Sequence, residues 1–138
     1  MSEIADYFKK NIIGYSSDEM IKAVCIGELT VELIAYVESV IPPQRVGKQM
    51  VQKCILNNAS GSRILVKIWN EQIDRVKACI QPNFILHVDS ASARHLTNFS
   101  KELVGNVNFE LYIQSHTRIN VLGVREVNTD CEKIEAGI

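Results

Sequence analysis

From Thr30 to Ile41 hydrophobic and polar side chains alternate with a period of two: Val31, Leu33, Ala35 and Val37 fall on one face, Glu32, Ile34, Tyr36 and Glu38 on the other. That period predicts a long strand with one face in a core. Pro42-Pro43-Gln44-Arg45-Val46-Gly47-Lys48 breaks it, because neither proline can donate to a ladder. A second strand is expected at about 49–57. The turn Asn57-Asn58-Ala59-Ser60-Gly61 follows, whose glycine and asparagines suit positive φ. A third strand, Arg63 to Trp69, sets Ile64, Val66 and Ile68 against Leu65, Lys67 and Trp69. These three strands predict a meander.

At Asn70 the period lengthens. Asn70 stands where a helix N-cap is wanted, Glu71 favours the positive end of the helix dipole, and Ile73, Val76 and Ile80 recur at helical spacing until Pro82 stops them. A fourth strand is expected from about Phe84 to Ser90. After a polar stretch, a fifth is expected from about Phe109 to Ile113, continuing through Arg118 to Val124. Ahead of the first strand, Ile4, Tyr7 and Phe8 suggest a short helix. Ser16-Ser17-Asp18-Glu19 has the form of a capping box for a second helix over 17–26, with Met20, Ile21, Val24 and Cys25 on one face. Three strands, a helix and two strands is the order of the OB-fold, an all-β, five-stranded Greek-key barrel with its helix between strands 3 and 4. The expected organisation is a helical extension at 1–28, the barrel domain at 29–127 and a tail at 128–138.

Composition narrows the function. The chain has 138 residues with 15 Lys+Arg against 16 Asp+Glu, a formal charge of −1, and it is 46% hydrophobic and 22% charged. Those values fit one globular domain and exclude binding a polyanion by bulk electrostatics, so any nucleic acid must be held by a local groove. The charge is unevenly spread. Arg45 and Lys48 lie in the strand 1–2 loop, Arg63 and Lys67 on strand 3, and Arg94, His95 and Lys101 in the expected strand 4–5 loop. Asp18, Glu19, Glu28, Glu32, Asp130, Glu132 and Glu135 gather toward the ends. Cys25, Cys54, Cys79 and Cys131 form no CxxC pair and have no His at ligand spacing, so no metal or other cofactor is expected and the thiols are read as reduced. The sequence shows no secretory leader, no apolar run long enough to span a bilayer, no nucleophile elbow and no phosphate loop. A binding role without catalysis and without a membrane is the expectation.

The run from Asn57-Asn58-Ala59-Ser60-Gly61 through Ile68-Trp69-Asn70-Glu71-Gln72-Ile73-Asp74 resembles the OB domains of the replication protein A large subunit. Phe109-Glu110-Leu111-Tyr112-Ile113 with His116-Thr117-Arg118-Ile119 resembles that family's final strand, and the likeness covers about residues 30–124. The resemblance implies a nuclear, single-stranded DNA-binding module acting in replication, repair, recombination or telomere maintenance. It places Gln52 and His87 near the family's two stacking positions and Tyr36 where the family has a basic residue. On this reading Arg45, Lys48, Arg63, Lys67, Arg94 and Lys101 contact phosphates, while Tyr36, His87 and Phe99 stack on bases. Single-stranded RNA is an equivalent ligand for such platforms. The alternative is an OB domain for protein interaction or dimerisation that has lost DNA binding, with Tyr7, Phe8, Ile12 and Ile13 or the barrel face as its surface. Trp69 is expected to pack.

Overall fold

The structure is a computed structural model and describes residues 14–97 and 104–126. The helix expected around Ile4, Tyr7 and Phe8, the surface built on Ile12 and Ile13, Phe99, Lys101, Cys131 and the tail lie outside the described residues. The strands are β1 (Val31–Val40), β2 (Gln44–Val46), β3 (Gln49–Asn57), β4 (Arg63–Trp69), β5 (Phe84–His95), β6 (Phe109–Ile113) and β7 (Arg118–Val124). The helices are α1 (Asp18–Lys22) and α2 (Glu71–Val76).

The strands follow the order β1-β3-β4-β6-β5, and β5 pairs back onto β1, so the sheet closes into a barrel. Strand β6 runs parallel to β4, and every other pairing is antiparallel. This is the expected OB-fold. Its core is the inward set that the alternation marked: Val31, Leu33, Ala35 and Val37 of β1, Cys54 and Leu56 of β3, Ile64, Val66 and Ile68 of β4. Leu86 and Val88 of β5 and Phe109, Leu111 and Ile113 of β6 complete it. Burial pushes the Cys54 thiol up to about 12, so it packs as a small hydrophobe.

Three departures from the sequence reading shape the molecule. First, the segment after Pro43 is a ribbon, not a loop: β2 pairs with the start of β3, and Gly47 turns the chain at φ 61°. Second, β5 continues to His95, five residues beyond its expected end. Val31 faces Ala91 whereas Leu33 faces Val88, so β5 carries one extra residue, and Ser90 sits there at φ 66°. Such a bulge reverses the alternation. Leu86 and Val88 face the core before it, Ala91 and Ala93 after it. Third, the fifth-strand region is two elements: β6 closes the barrel, and β7 turns away to pair with the outer edge of β5.

The caps also differ in role. Ser17, not Ser16, caps α1, with its Oγ accepting from the Met20 N–H at 3.1 Å. Ser16 is spent on β1, where its Oγ accepts from Ile34 N at 2.8 Å and its own N–H donates to Ile34 O at 2.9 Å. α1 ends at Lys22; Ile21 is buried, whereas Met20 and Cys25 are exposed. The Asp18 carboxylate accepts from Asn58 Nδ2, Ser60 Oγ and Ser62 Oγ, which fastens α1 to the β3–β4 turn and lowers the Asp18 pKa. Asn70 precedes α2 without a side-chain cap. Its Oδ1 accepts from Met50 N and its N–H donates to Met50 O, both at 2.9 Å, so it extends the β3–β4 pairing by one residue. α2 then buries Ile73 and Val76, and Arg75 donates to Gln114 O and Thr117 O, tying the helix to the β6–β7 turn.

Candidate nucleic-acid interface

Cross-strand partners share a face of a sheet, so the register divides the outer surface into two areas. One spans β3, β4, β6 and the end of β5. It carries Val51, Lys53, Ile55 and Asn57, then Arg63, Leu65, Lys67 and Trp69, then Glu110 and Tyr112, then Ser92 and Arg94. The other spans β1, the start of β5 and β7, with Glu32, Ile34 and Tyr36, then Ile85, His87 and Asp89, then Arg118, Asn120 and Leu122. Of the eight proposed contact residues Lys101 lies outside the described residues, and the other seven do not border one groove. Tyr36 and His87 lie on the second area.

Tyr36 is 8% exposed, not open to a base. It packs with Ile85, Leu122, Ile34 and Tyr15; the Tyr15 ring meets it edge-on at 5.9 Å and the Arg125 guanidinium covers it at 4.3 Å. Burial raises the Tyr15 phenol, partly offset by Arg125. His87 Nε2 lies 2.6 Å from Glu32 Oε2, with Asn120 Nδ2 3.5 Å from Nδ1. Gln52 is not at a stacking position either: it faces inward beside Ile68, with Nε2 3.4 Å from Ile41 O.

On the first area two expected phosphate contacts are engaged within the protein. Arg63 forks onto Glu38, Nε to Oε1 at 2.9 Å and Nη2 to Oε2 at 2.7 Å, while Asn57 Nδ2 donates to the same carboxylate at 2.9 Å. These bonds hold the Glu38 carboxyl at about 2. Lys67 forms a buried ion pair with Glu110, Nζ to Oε1 at 3.0 Å, in which the Glu110 side chain is 0% exposed. Thr97 closes that pair: its N–H and Oγ1 approach Glu110, and Lys67 Nζ donates to Thr97 Oγ1. Val51, Ile55 and Leu65 beside it are buried.

What remains open is a strip along the ribbon end of this area. Trp69 and Tyr112 are half-buried neighbours, ring centroids 6.1 Å apart and tilted by 46°. The exposed Arg94 lies over the Tyr112 ring at 4.8 Å, on strand β5 rather than in a loop. Burial and the Glu110 charge raise the Tyr112 phenol. Lys53, directly across from Lys67, is half-exposed and makes no ion pair or side-chain hydrogen bond among the described residues. Arg45 and Lys48 are exposed on the ribbon and equally unengaged. Lys53 is not among the candidates of the sequence reading. The signal that finds it is its parity with Val51 and Ile55.

No protein-family model matches this sequence, and no curated protein matches it. Solved structures do match. One is a chain of a replication protein A heterotrimer bound to single-stranded DNA, with TM-score 0.61 and 20% identity over 78% of this chain. The present chain spans only 26% of that one. The replication factor A related protein of Methanobacterium thermoautotrophicum matches with TM-score 0.57 and 15% identity, over 78% of this chain and 92% of that one. The OB domain of Ta0387 from Thermoplasma acidophilum matches with TM-score 0.50 and 14% identity, over 78% and 86%. The chain thus has an OB-fold like those of replication protein A-related proteins.

Proposed function

We propose that this domain binds single-stranded DNA, in the manner suggested by its structural neighbours, on the strip formed by Lys53, Trp69, Tyr112 and Arg94, with Lys48 at its ribbon end. The observation that carries the reading is the Trp69–Tyr112 pair, half-buried on an outer barrel face with Arg94 on one ring and Lys53 beside it. A base offers a π-face to a ring and its phosphate offers a charge to a lysine, so such a strip accepts a strand without reading its sequence. With it we propose a role in DNA replication, repair, recombination or telomere maintenance, in the nucleus. Fluorescence anisotropy with a labelled oligonucleotide tests it. Binding in the roughly micromolar range at low salt, weakening as salt rises, is expected; a flat titration overturns it.

A second reading, an OB domain that works through protein contact, is favoured by one observation: Arg63 and Lys67 are already neutralised by Glu38 and Glu110. Under it the oligonucleotide titration is flat while the strip still serves as a surface. Substitution of Trp69 would then affect a protein complex and nothing else.

A further inference from the structure

The β2–β3 ribbon is exposed at every residue of β2 and ends in the turn at Gly47, with nothing packed around that glycine. At its end stands Val46, 53% exposed. A lone exposed valine is ordinary on a protein surface, but the register gives this one a direction. Val46 pairs with Gln49, Gln44 pairs with Val51, and Val51 pairs with Trp69. Side chains two apart on a strand share a face, so Val46 lies on the face of Trp69, two residue pairs further out, about 7 Å along the strands and two strands over. Arg45 alternates to the opposite face of the ribbon, and Lys48 lies in the turn. An apolar tip, on the same face as the aromatic strip and near two cations that make no ion pair or side-chain hydrogen bond among the described residues, extends past the barrel.

We propose that this ribbon recognises the end of a duplex that adjoins the bound single strand. The proposal rests on the nucleic-acid reading above and names its substrate: a junction between single- and double-stranded DNA. A strand lying on Tyr112 and Trp69 leads toward the ribbon. The last base pair of an adjoining duplex presents a flat, apolar, unstacked face, which gains by contact with an apolar side chain and offers it no hydrogen bond to lose. Insertion of apolar side chains against base steps is an established way for proteins to hold DNA. The phosphates of the two strands diverge on either side of that base pair, and the ribbon offers them two cations, Arg45 on the face opposite Val46 and Lys48 in the turn.

The experiment compares three probes by anisotropy at low salt: a single strand of about 12 nucleotides, the same strand joined to a hairpin duplex, and the hairpin alone. The junction is expected to bind roughly fivefold or more tightly than the single strand, and the hairpin alone more weakly than either. V46S is expected to cancel the junction's advantage and to leave single-strand affinity within about twofold, since Val46 lies outside the strip. Equal binding of junction and single strand by the wild type overturns the proposal. So does a hairpin that binds as tightly as the junction, or a V46S change that weakens both probes alike. Failure of all three probes to bind overturns the nucleic-acid reading itself and is thereby distinct.

Discussion

Two tyrosine rings on this barrel are each covered by an arginine, and they differ in how much of the ring stays open. Tyr36, under Arg125, is closed off on the β1–β5–β7 face by Tyr15, Ile85 and Leu122. Tyr112, under Arg94, is half-open beside Trp69 on the β4–β6 face. The residue types are the same and the cation–ring distances are close, 4.3 and 4.8 Å. What distinguishes them is the chain that crosses each face. Residues just before α1 and just after β7 lie over Tyr36 and turn its face into a second small core. Among the described residues no such segment lies over Tyr112.

Substitutions can break that contrast. The largest effect is expected at the pair that separates the closed half of the β3–β4–β6 face from the open strip. Glu110→Ala strands Lys67 in a buried site and should destabilise the protein by about 3–5 kcal/mol, read as a lower urea midpoint. The double change Lys67→Met with Glu110→Leu should recover most of that loss, since a well-packed apolar pair replaces the ions. Next in size, Tyr36→Ala should cost about 3 kcal/mol of stability through the cavity it leaves, while the folded variant keeps its oligonucleotide affinity. Trp69→Ala should do the reverse, weakening oligonucleotide binding by about 1–3 kcal/mol in an anisotropy titration. If Tyr36→Ala weakens binding as much as Trp69→Ala does, the division into a closed and an open face is wrong.

The smallest effect concerns pH. Glu38 titrates at about 2 in the folded protein against an ordinary 4.5, so its ionised form stabilises the fold above about 4.5. That contribution is lost as pH falls from about 4.5 through about 2, because the unfolded chain then takes up the proton first. Urea midpoints of the wild type and Glu38→Gln should therefore converge over that interval. Parallel curves would mean that the Arg63 fork adds nothing at the surface.

The barrel itself was legible, and for a physical reason: the inward positions of β1 and β4 are apolar at every second residue, which writes a period of two into the chain. The limit of β5 was not legible. Ala91-Ser92-Ala93 reads as the start of a polar loop because the bulge at Ser90 shifts the alternation by one residue and because small alanines suffice where strands crowd. That single misreading moved Arg94 from a strand to a loop. The site was less legible than the fold. Lys67 and Lys53 are direct cross-strand partners, yet one is sealed against Glu110 and the other open. Nothing local to either lysine encodes this, since Glu110 lies more than 40 residues downstream and reaches Lys67 only through the parallel β4–β6 pairing. For the same reason Gln52, which the resemblance places near a stacking position, faces inward: one position along a strand is the difference between groove and core.

The extra residue at Ser90 also governs which changes of length this chain can inherit. The same strand serves β1 and β7 on one side of Ser90 and β6 on the other, and Ser90 O further accepts the Thr117 hydroxyl at 2.8 Å. An insertion or deletion in the ribbon turn changes only the ribbon. One between Val88 and Ser92 would send Ala91 and Ala93 outward and Ser92 and Arg94 into the core, and would lift Arg94 off Tyr112 in the same step. Descendants of this sequence should therefore vary freely in length at the Gly47 turn and keep the spacing from Val88 to Arg94 fixed, with Ser90 replaced chiefly by glycine, asparagine or aspartate, the residues that accept its positive φ.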